Sequence, residues 1–393
     1  MSQSDKSRFD ISTRLVYAGR EPSNQYGFVN TPIYRGSTVL YKTMDDLVHG
    51  KAKYTYGTHG TPTIDSLTSA WTELSNAAGT VLVPSGLAAI AVALMSCLKA
   101  GDHLLVTDSV YRPTRHYCDG FLKRFGVETT YYDPLIGKDI EKLFKPNTTA
   151  VFTEAPGSQT FEVQDIPAIA EIAHRHGATV LMDNTWATPL FFPPHDNGVD
   201  IAIEAGTKYL SGASDLLLGM VSANERSWKD LHDTWDSMAL CAGPEDVFLG
   251  LRGLRTMPLR LKEQGARALE LARWLEKRPE VARVIHPGLE SDPGHAIWKR
   301  DFKGSSGLFA IELQPGPISG VAAMLDNLEL FGMGYSWGGF ESLVIPFDCS
   351  SYRTATTWQA EGPMLRIQVG LESLDDLKSD LDAGLKRFAQ HSR

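Results

Sequence analysis

The chain has 393 residues, of which 42% are hydrophobic and 22% charged, and its formal net charge at neutral pH is −9. This composition is typical of soluble globular proteins and excludes the fibrous and disordered classes. The negative balance gives no electrostatic support for binding a nucleic-acid backbone. The length exceeds what one hydrophobic core usually fills, which predicts two domains.

The N-terminal sequence and the spacing of the cysteines indicate the cellular compartment of the protein. The opening MSQSDKSRFD is polar and lacks the apolar run of a signal peptide, and no stretch of about 18 apolar residues predicts a membrane span. Cys97, Cys118, Cys241 and Cys349 have neither the spacing of a disulfide framework nor that of a metal site. We therefore expect a cytoplasmic protein without a structural disulfide, a metal or a membrane partner.

Residues 1–60 are rich in Gly, Pro, Tyr and Thr and show no helical period. We predict an N-terminal extended segment that contacts the body of the chain or a neighbouring subunit. A helical stretch at 65–78, stopping at Gly79, follows, and then short apolar runs alternate with helical stretches such as 87–98 and 166–176. The five runs are 80–83, 103–107, 149–153, 179–182 and 200–204. This alternation predicts an α/β domain over 61–255 with a mainly parallel central sheet.

The pattern changes after about residue 255. Helices are predicted at 263–277 and 318–330, and strands at 307–313 and 364–369. The last helix opens with SLDD, a start that resembles a capping box. These elements predict a smaller C-terminal α+β domain over 256–393.

The ends of the apolar runs hold the candidate site, because ligands of open α/β sheets bind beyond the carboxyl ends of the strands. Ser85, Gly86 and Leu87 follow the first run at a helix start, where free N–H groups suit a phosphate, although such a turn is more often only a cap. The fourth run ends in Asp183. The fifth leads to Lys208, which taken alone is as compatible with a surface lysine as with a buried one.

Together these strand ends meet the demands of pyridoxal 5′-phosphate, which needs a phosphate site, a carboxylate for its pyridine nitrogen and a lysine for its aldehyde. Lys208 is predicted to carry the cofactor as a Schiff base, and Asp183 to keep the ring nitrogen protonated. Tyr111, after the second run, either stacks on the ring or moves a proton, or it packs in the core. A dinucleotide site is disfavoured, because no GxGxxG follows the first run.

Over its whole length the chain resembles the fold-type I pyridoxal-phosphate enzymes of cystathionine metabolism. The motifs that carry this resemblance, in order, are TRLVYAG (13–19), PIYRGST (32–38), YG and GTPT (56–63), SGL (85–87), Tyr111, DNT (183–185), TKYL (207–210), RGL (252–254), GGFES (338–342) and LR (365–366). The resemblance implies a large cofactor domain, a smaller C-terminal domain and small sulfur amino acids as substrates. It also implies a homotetramer built as a dimer of active dimers.

The resemblance also implies roles for particular residues. Lys208 and Tyr111 would be catalytic, and Arg366 would hold the substrate α-carboxylate through two parallel hydrogen bonds. The cofactor-binding residues would be Lys208, Asp183, Tyr111, Ser85, Gly86, Leu87, Thr207 and Tyr56, and the substrate-binding residues Arg366, Ser336, Trp337 and Tyr335. Tyr56 would reach the phosphate in the neighbouring subunit, so that each site would need a dimer.

The run Tyr335-Ser336-Trp337 is similar to the branch of the family that splits cystathionine by α,β-elimination into homocysteine, pyruvate and ammonia, a step of methionine biosynthesis. Other activities remain open. They are γ-lyase or γ-synthase chemistry on the same scaffold, a broader cysteine-S-conjugate or cystine lyase, and a regulatory or structural protein that has kept the fold without catalysis.

Two positions depart from the family pattern at the predicted phosphate site. Thr58 stands where an arginine is common, and Ala205 where many relatives have serine. A guanidinium that would pair with the phosphate is therefore absent. Our hypothesis is that His59 or another nearby cation replaces it.

Overall fold

The computed structural model describes residues 8–391. A seven-stranded sheet forms the centre of the larger part. Its strands are β1 (Gly79–Val83), β2 (His103–Thr107), β3 (Glu128–Tyr132), β4 (Thr148–Glu154), β5 (Thr179–Asp183), β6 (Ile201–Ala205) and β7 (Gly219–Ala223). In space their order is β1-β7-β6-β5-β4-β2-β3. The neighbours from β3 to β6 pair in parallel, while β7 is antiparallel to both β1 and β6.

The sheet confirms the predicted fold class, and all five apolar runs are strands in it. Strands β3 and β7 were not predicted. Strand β3 lies at the sheet edge and pairs only with β2, and its sequence ETTYY lacks an apolar run. Strand β7 is fully buried, but its sequence GMVSA mixes small and polar residues. Short strands of this kind carry a weak periodic signal.

Apolar side chains cover both faces of the sheet. Leu104 and Val106 of β2 belong to one buried cluster, whereas Leu105 between them belongs to another. The helices of this part are α1 (Ile11–Tyr17), α2 (Met44–Val48), α3 (Pro62–Ser75), α4 (Gly86–Met95), α5 (Arg112–His116), α6 (Ile166–Arg175), α7 (Thr188–Phe191), α8 (Trp228–Ser237) and α9 (Pro244–Leu254). Short 3-10 turns lie at Pro22–Gln25, Gly57–His59, Gly137–Leu143 and His195–Asn197, and a π-helical turn at Tyr117–Leu122.

Helix α3 ends earlier than its sequence predicts. Asn76 adopts the left-handed conformation with φ 53° and caps the helix, as Asn does at many helix ends. Gly79, the predicted stop, is instead the first residue of β1. A side chain there would meet the Trp228 ring at 2.4 Å, so packing between strand and helix requires this glycine.

The C-terminal part has a four-stranded antiparallel sheet in the order β10-β11-β9-β8. Its strands are β8 (Val281–Ile285), β9 (Leu308–Leu313), β10 (Leu343–Phe347) and β11 (Met364–Gln368), and its helices are α10 (Met257–Leu275), α11 (His295–Asp301), α12 (Ile318–Leu325) and α13 (Leu374–His391). Strands β9 and β11 match the two predicted strands, and β8 and β10 were not predicted.

One buried cluster joins the two sheets. Val151 and Met182 of the large sheet pack in it with Ile285, Ala310 and Met364 of the small one. This shared core holds β11 in a fixed position relative to β5 and β6. The domain boundaries at residues 60 and 255 remain a prediction. Within residues 8–391, no helix has both the length and the apolar content needed to cross a membrane.

Candidate active site

A cavity of about 810 Å³ opens at the carboxyl ends of the large sheet. Strands β1, β2, β4, β5 and β6 each lead into it, and the C-terminal part closes its other side. The predicted site residues that it brings together are Ser85, Gly86, Leu87, Tyr111, Asp183, Thr207, Lys208, Tyr335, Ser336, Trp337 and Arg366. Tyr56 is the predicted site residue that lies outside its lining.

Lys208 follows β6 and points toward the C-terminal part. Its Nζ donates a hydrogen bond to Ser336 Oγ at 2.5 Å and lies 5.2 Å from the centroid of the Trp337 ring. Burial, together with the charge of Arg366, lowers the pKa of Lys208 to about 8, while Asp183 opposes the shift. At pH 7 roughly a tenth of such an amine is neutral and nucleophilic.

Asp183 ends β5 and opens to the cavity. Its Oδ1 accepts hydrogen bonds from the backbone N–H of Thr185 at 3.0 Å and from the Thr185 hydroxyl at 2.6 Å. The hydroxyl oxygen in turn accepts the backbone N–H of Ala205 at 3.0 Å. This chain of bonds joins the ends of β5 and β6 and fixes the carboxyl group. Burial raises the pKa of Asp183, and a cation bound in the cavity would lower it again.

Glu154 is a site residue that the sequence interpretation missed. It ends β4 opposite Asp183 in the parallel register and lines the cavity. Its Oε2 accepts the backbone N–H of Tyr111 at 2.8 Å. Burial, and secondarily the nearby Asp183, raises the pKa of Glu154 well above its ordinary value. The strand-end rule that points to Asp183 and Lys208 points equally to Glu154.

Tyr111 carries its phenol at the cavity and is partly exposed. Burial, with the charges of Asp183 and Glu154, raises its pKa, and Arg366 opposes the change. The phenol therefore holds its proton at neutral pH. It is suited to donate a proton rather than to accept one.

The start of helix α4 forms a cradle in the cavity wall. Ser85 is the N-cap, and its Oγ accepts the backbone N–H of Ala88 at 3.2 Å. The N–H groups of Gly86 and Leu87 belong to the first helical turn and have no partner within the helix. A side chain at Gly86 would lie 2.9 Å from Cβ of Ala205, so only glycine allows this close approach.

Thr207 lines the cavity, but its hydroxyl already has partners in the chain. It donates to the carbonyl oxygen of Leu218 at 3.3 Å and accepts the N–H of Leu218 at 3.1 Å. A bond from this hydroxyl to a phosphate remains a prediction.

Arg366 of β11 forms the opposite side of the cavity. It is 8% exposed, and burial lowers its pKa to about 10, which leaves it charged at neutral pH. Its Nη2 donates to the backbone carbonyl of Ser336 at 2.8 Å. Ser336 has a φ of 79°, an unusual conformation for a residue with a side chain and one that often marks functional sites.

The glycine after Trp337 allows the aromatic run to approach Lys208. Gly338 has a φ of +87°, and a side chain there would meet the backbone of Lys208 at 3.0 Å. Trp337 packs on Tyr209 with ring centroids 5.4 Å apart. Tyr335 is 89% exposed. The two aromatic residues therefore differ, with Trp337 beside the lysine and Tyr335 open to solvent at the rim.

Tyr56 and His59 lie apart from this cavity. Tyr56 is 48% exposed and pairs with Thr38 in an isolated bridge. His59 contacts Thr55 at 2.9 Å and lies 3.6 Å from Asp236. Their predicted roles at the phosphate of a neighbouring subunit, and the replacement of the missing arginine by His59, remain predictions.

The residues of the cavity fit pyridoxal 5′-phosphate. The amine of Lys208 has a lowered pKa, as attack on an aldehyde requires. Asp183 offers an acceptor for a protonated ring nitrogen, and the first turn of α4 offers N–H donors to a phosphate. Within residues 8–391, no cluster of three or more His, Cys, Asp or Glu side chains is arranged to hold a metal ion.

Comparison with known proteins identifies the family. A model described as Cys/Met metabolism PLP-dependent enzyme matches residues 12–386. The chain belongs to this family. Membership confirms the predicted resemblance and the predicted cofactor, pyridoxal 5′-phosphate.

Two relatives and one solved structure place the chain within this family. A provisionally named cystathionine β-lyase of Rhizobium johnstonii is 53% identical over 378 residues, which is 95% of each chain. The cystathionine β-lyase of Salmonella typhimurium is 42% identical and covers 96% of this chain and 98% of its own. The crystal structure of cystathionine γ-synthase from Xanthomonas oryzae pv. oryzae is 31% identical, with a TM-score of 0.90 over 98% of this chain and 99% of its own.

Proposed function

We propose that the chain is a carbon–sulfur lyase that converts L-cystathionine and water into homocysteine, pyruvate and ammonia. Two observations together carry the proposal. Near-full-length relatives bear the β-lyase name, and in this chain Lys208, Ser336 and Arg366 surround one cavity beside Trp337. Methionine biosynthesis is the role that fits this reaction.

Pyridoxal 5′-phosphate, when bound, supplies an electron-withdrawing ring that stabilises negative charge at the substrate Cα. Lys208 would hold its aldehyde carbon and Asp183 its ring nitrogen. The N–H groups of Gly86 and Leu87, with hydroxyls of Ser85 and Thr207, would hold the phosphate, and Tyr111 would stack on the ring. Tyr56 of a neighbouring subunit would complete the phosphate site.

The substrate is positioned by Arg366. Its guanidinium presents two parallel N–H donors to the α-carboxylate, and the bond from Nη2 to the Ser336 carbonyl fixes its orientation. Arg366 lies on β11, whose residue Met364 packs in the core shared with the large sheet. Trp337 and Tyr335 offer apolar surface to the thioether.

Lys208 and Tyr111 transfer the protons in the reaction. The substrate amino group takes the place of Lys208 at the aldehyde carbon and so frees the lysine amine. The neutral form of this amine, favoured by its pKa of about 8, then removes the proton from Cα. The Cβ–S bond then breaks, and sulfur leaves with the bonding pair. Tyr111, which keeps its proton because its pKa is raised, or the protonated Lys208 donates a proton to the departing sulfur.

The products test the proposal. The purified holoenzyme is incubated with L-cystathionine, and the thiol and the 2-oxo acid are identified by mass spectrometry. Homocysteine with pyruvate is the expected pair. Cysteine with 2-oxobutyrate would instead indicate γ-elimination, the chemistry nearer to the γ-synthase neighbour. Release of pyruvate from simple S-alkylcysteines in preference to cystathionine would indicate a broader S-conjugate lyase.

We also infer a homotetramer built from active dimers, in the cytoplasm. Several apolar residues of the N-terminal segment are exposed in the single chain, including Tyr26, Phe28 and Leu40, and a subunit interface would cover them. The four cysteines are free thiols, as is usual in a reducing compartment. Light scattering of the purified protein gives the mass of the assembly, and cell fractionation gives its location.

A further inference from the structure

Three side chains with ionisable groups line the cavity but have no part in the proposed reaction. Arg112 and His116 lie on α5, directly after Tyr111, and Asp348 follows β10. All three are exposed to solvent at the cavity. A substrate whose far end is uncharged would have no electrostatic attraction to a cation and an anion in this part of the cavity.

The guanidinium of Arg112 lies over an aromatic ring. Its guanidinium carbon lies 5.3 Å from the centroid of the Tyr352 ring. Within residues 8–391 it has no carboxylate partner. A guanidinium attracted to an aromatic ring uses none of its N–H groups in a carboxylate bond, so two of them can still bind one carboxylate.

Asp348 supplies the opposite charge. Its oxygens accept the N–H of Ser350 at 2.8 Å and the Ser350 hydroxyl at 2.9 Å, and these bonds hold the pKa of Asp348 below its ordinary value. In the described part of the chain no cation pairs with it. Each oxygen retains a lone pair for an ammonium donor.

The loop that carries Tyr352 is fixed before any substrate arrives. The next residue, Arg353, is buried and bonds to Glu162 Oε1 at 2.6 Å. Asp108, which is also buried, accepts the backbone N–H of Thr354 at 3.0 Å and those of the two following residues at 3.1 and 2.9 Å. Tyr352 is therefore presented rigidly to Arg112, which lowers the entropy cost of ordering the arginine on binding.

We propose that Arg112, which lies over the Tyr352 ring, and Asp348 form a second binding region for substrates whose leaving group is itself an α-amino acid. Arg112 binds the far carboxylate and Asp348 the far ammonium, so the enzyme prefers a thioether with two zwitterionic ends to a simple S-alkylcysteine. The inference rests on the proposed function, since it assumes that the near end lies at Lys208 and Arg366.

Binding of two unreactive ligands tests it without chemistry. In 2,7-diaminosuberate a methylene replaces the sulfur of cystathionine, so both charged ends remain and elimination is impossible. In 2-aminooctanoate the far end is an alkyl chain of similar length. Titration calorimetry on the holoenzyme compares the two ligands for the wild type, Arg112→Gln, Asp348→Asn and the control Arg124→Gln, an exposed arginine outside the cavity.

Arg112→Gln is expected to weaken diaminosuberate binding about ten- to a hundredfold, the effect of losing charge-assisted hydrogen bonds. Asp348→Asn is expected to weaken it about two- to fivefold, because the asparagine keeps an oxygen that accepts a hydrogen bond from the far ammonium. The affinity of each variant for 2-aminooctanoate stays within about twofold of wild type. Tyr352→Phe keeps the aromatic face and binds like wild type, while Tyr352→Leu loses about two- to fivefold for diaminosuberate.

Equal weakening of both ligands by Arg112→Gln, or no weakening of diaminosuberate, overturns the proposal. So does an effect of the same size in Arg124→Gln. The outcome is independent of the reaction. A selective loss of diaminosuberate binding supports the second region even if cystathionine gives no pyruvate, whereas pyruvate formation without the selective loss supports the proposed function alone.

Discussion

The backbone N–H of Tyr111 donates a hydrogen bond to Oε2 of Glu154, with nitrogen and oxygen 2.8 Å apart. The bond connects the end of β4 to the segment after β2 and holds the backbone that carries the Tyr111 ring. Burial raises the pKa of Glu154 well above its ordinary value, which favours the neutral carboxyl group over the carboxylate. A neutral amide is therefore the closest substitute for this side chain.

Glu154→Gln is therefore expected to keep kcat/KM within about threefold of wild type, since the amide oxygen still accepts the Tyr111 N–H. Glu154→Ala leaves that N–H without a partner. The loss of about 1–3 kcal/mol corresponds to a fall of about five- to a hundredfold. Steady-state kinetics of both variants check this, and an equal loss in the two would mean that an ionised carboxylate is needed.

The raised pKa of Glu154 also predicts that the free energy of unfolding depends on pH. The unfolded Glu154 ionises near its ordinary pKa of 4.5, whereas the folded one stays protonated to higher pH. The unfolded state then releases a proton that the folded state keeps, so folding stability falls as pH rises above about 4.5. Glu154→Gln removes this contribution. Thermal unfolding of the cofactor-free protein at several pH values should show wild type losing stability relative to the variant as pH rises.

The lowered pKa of Lys208 predicts how the rate at which the cofactor-free protein binds pyridoxal phosphate depends on pH. Only the neutral amine attacks an aldehyde, and the pKa of this amine is about 8. The capture rate should rise about tenfold per pH unit below pH 8 and level off above it. Free acetyl-lysine, with an unshifted pKa, serves as the reference and should keep rising to about pH 10. Stopped-flow absorbance measures both, and parallel profiles would contradict the lowered pKa.

Arg366→Lys keeps a positive charge but loses the two parallel donors. We expect KM for cystathionine to rise about ten- to a hundredfold with a smaller change in kcat, because the lost bonds hold the substrate carboxylate. Steady-state kinetics separate the two constants. A fall in kcat at unchanged KM would place Arg366 outside the carboxylate site.

Thr58→Arg tests whether the absent guanidinium is already replaced. If His59 or another cation pairs with the phosphate, the added arginine should change the dissociation constant of pyridoxal phosphate by less than about threefold. The constant is measured by fluorescence titration of the cofactor-free protein. Thr58→Lys is the matched control for charge alone, and a gain of more than about tenfold in Thr58→Arg would show that no cation compensates.

The sequence alone determined the fold class and the cofactor, and it predicted residues that the structure gathers at one cavity. Asp183 ends β5, and Lys208 follows the end of the neighbouring parallel strand β6. The carboxyl ends of such strands meet at one edge of the sheet. A local pattern of apolar runs was therefore enough to bring these residues together. The edge strand β3 and the antiparallel strand β7 could not be predicted, because their sequences carry almost no periodic pattern of apolar residues.

Only the tertiary structure decided the contacts between distant segments. Asp108 meets Thr354 across 246 positions, and Arg112 meets Tyr352 in the same region. No periodicity connects such positions, because their meeting depends on how the C-terminal sheet packs on the large one through a shared buried core. The same packing sets the burial that lowers the pKa of Lys208 and raises that of Glu154. The lysine was visible in the sequence, but the reactivity of its amine is a property of its surroundings.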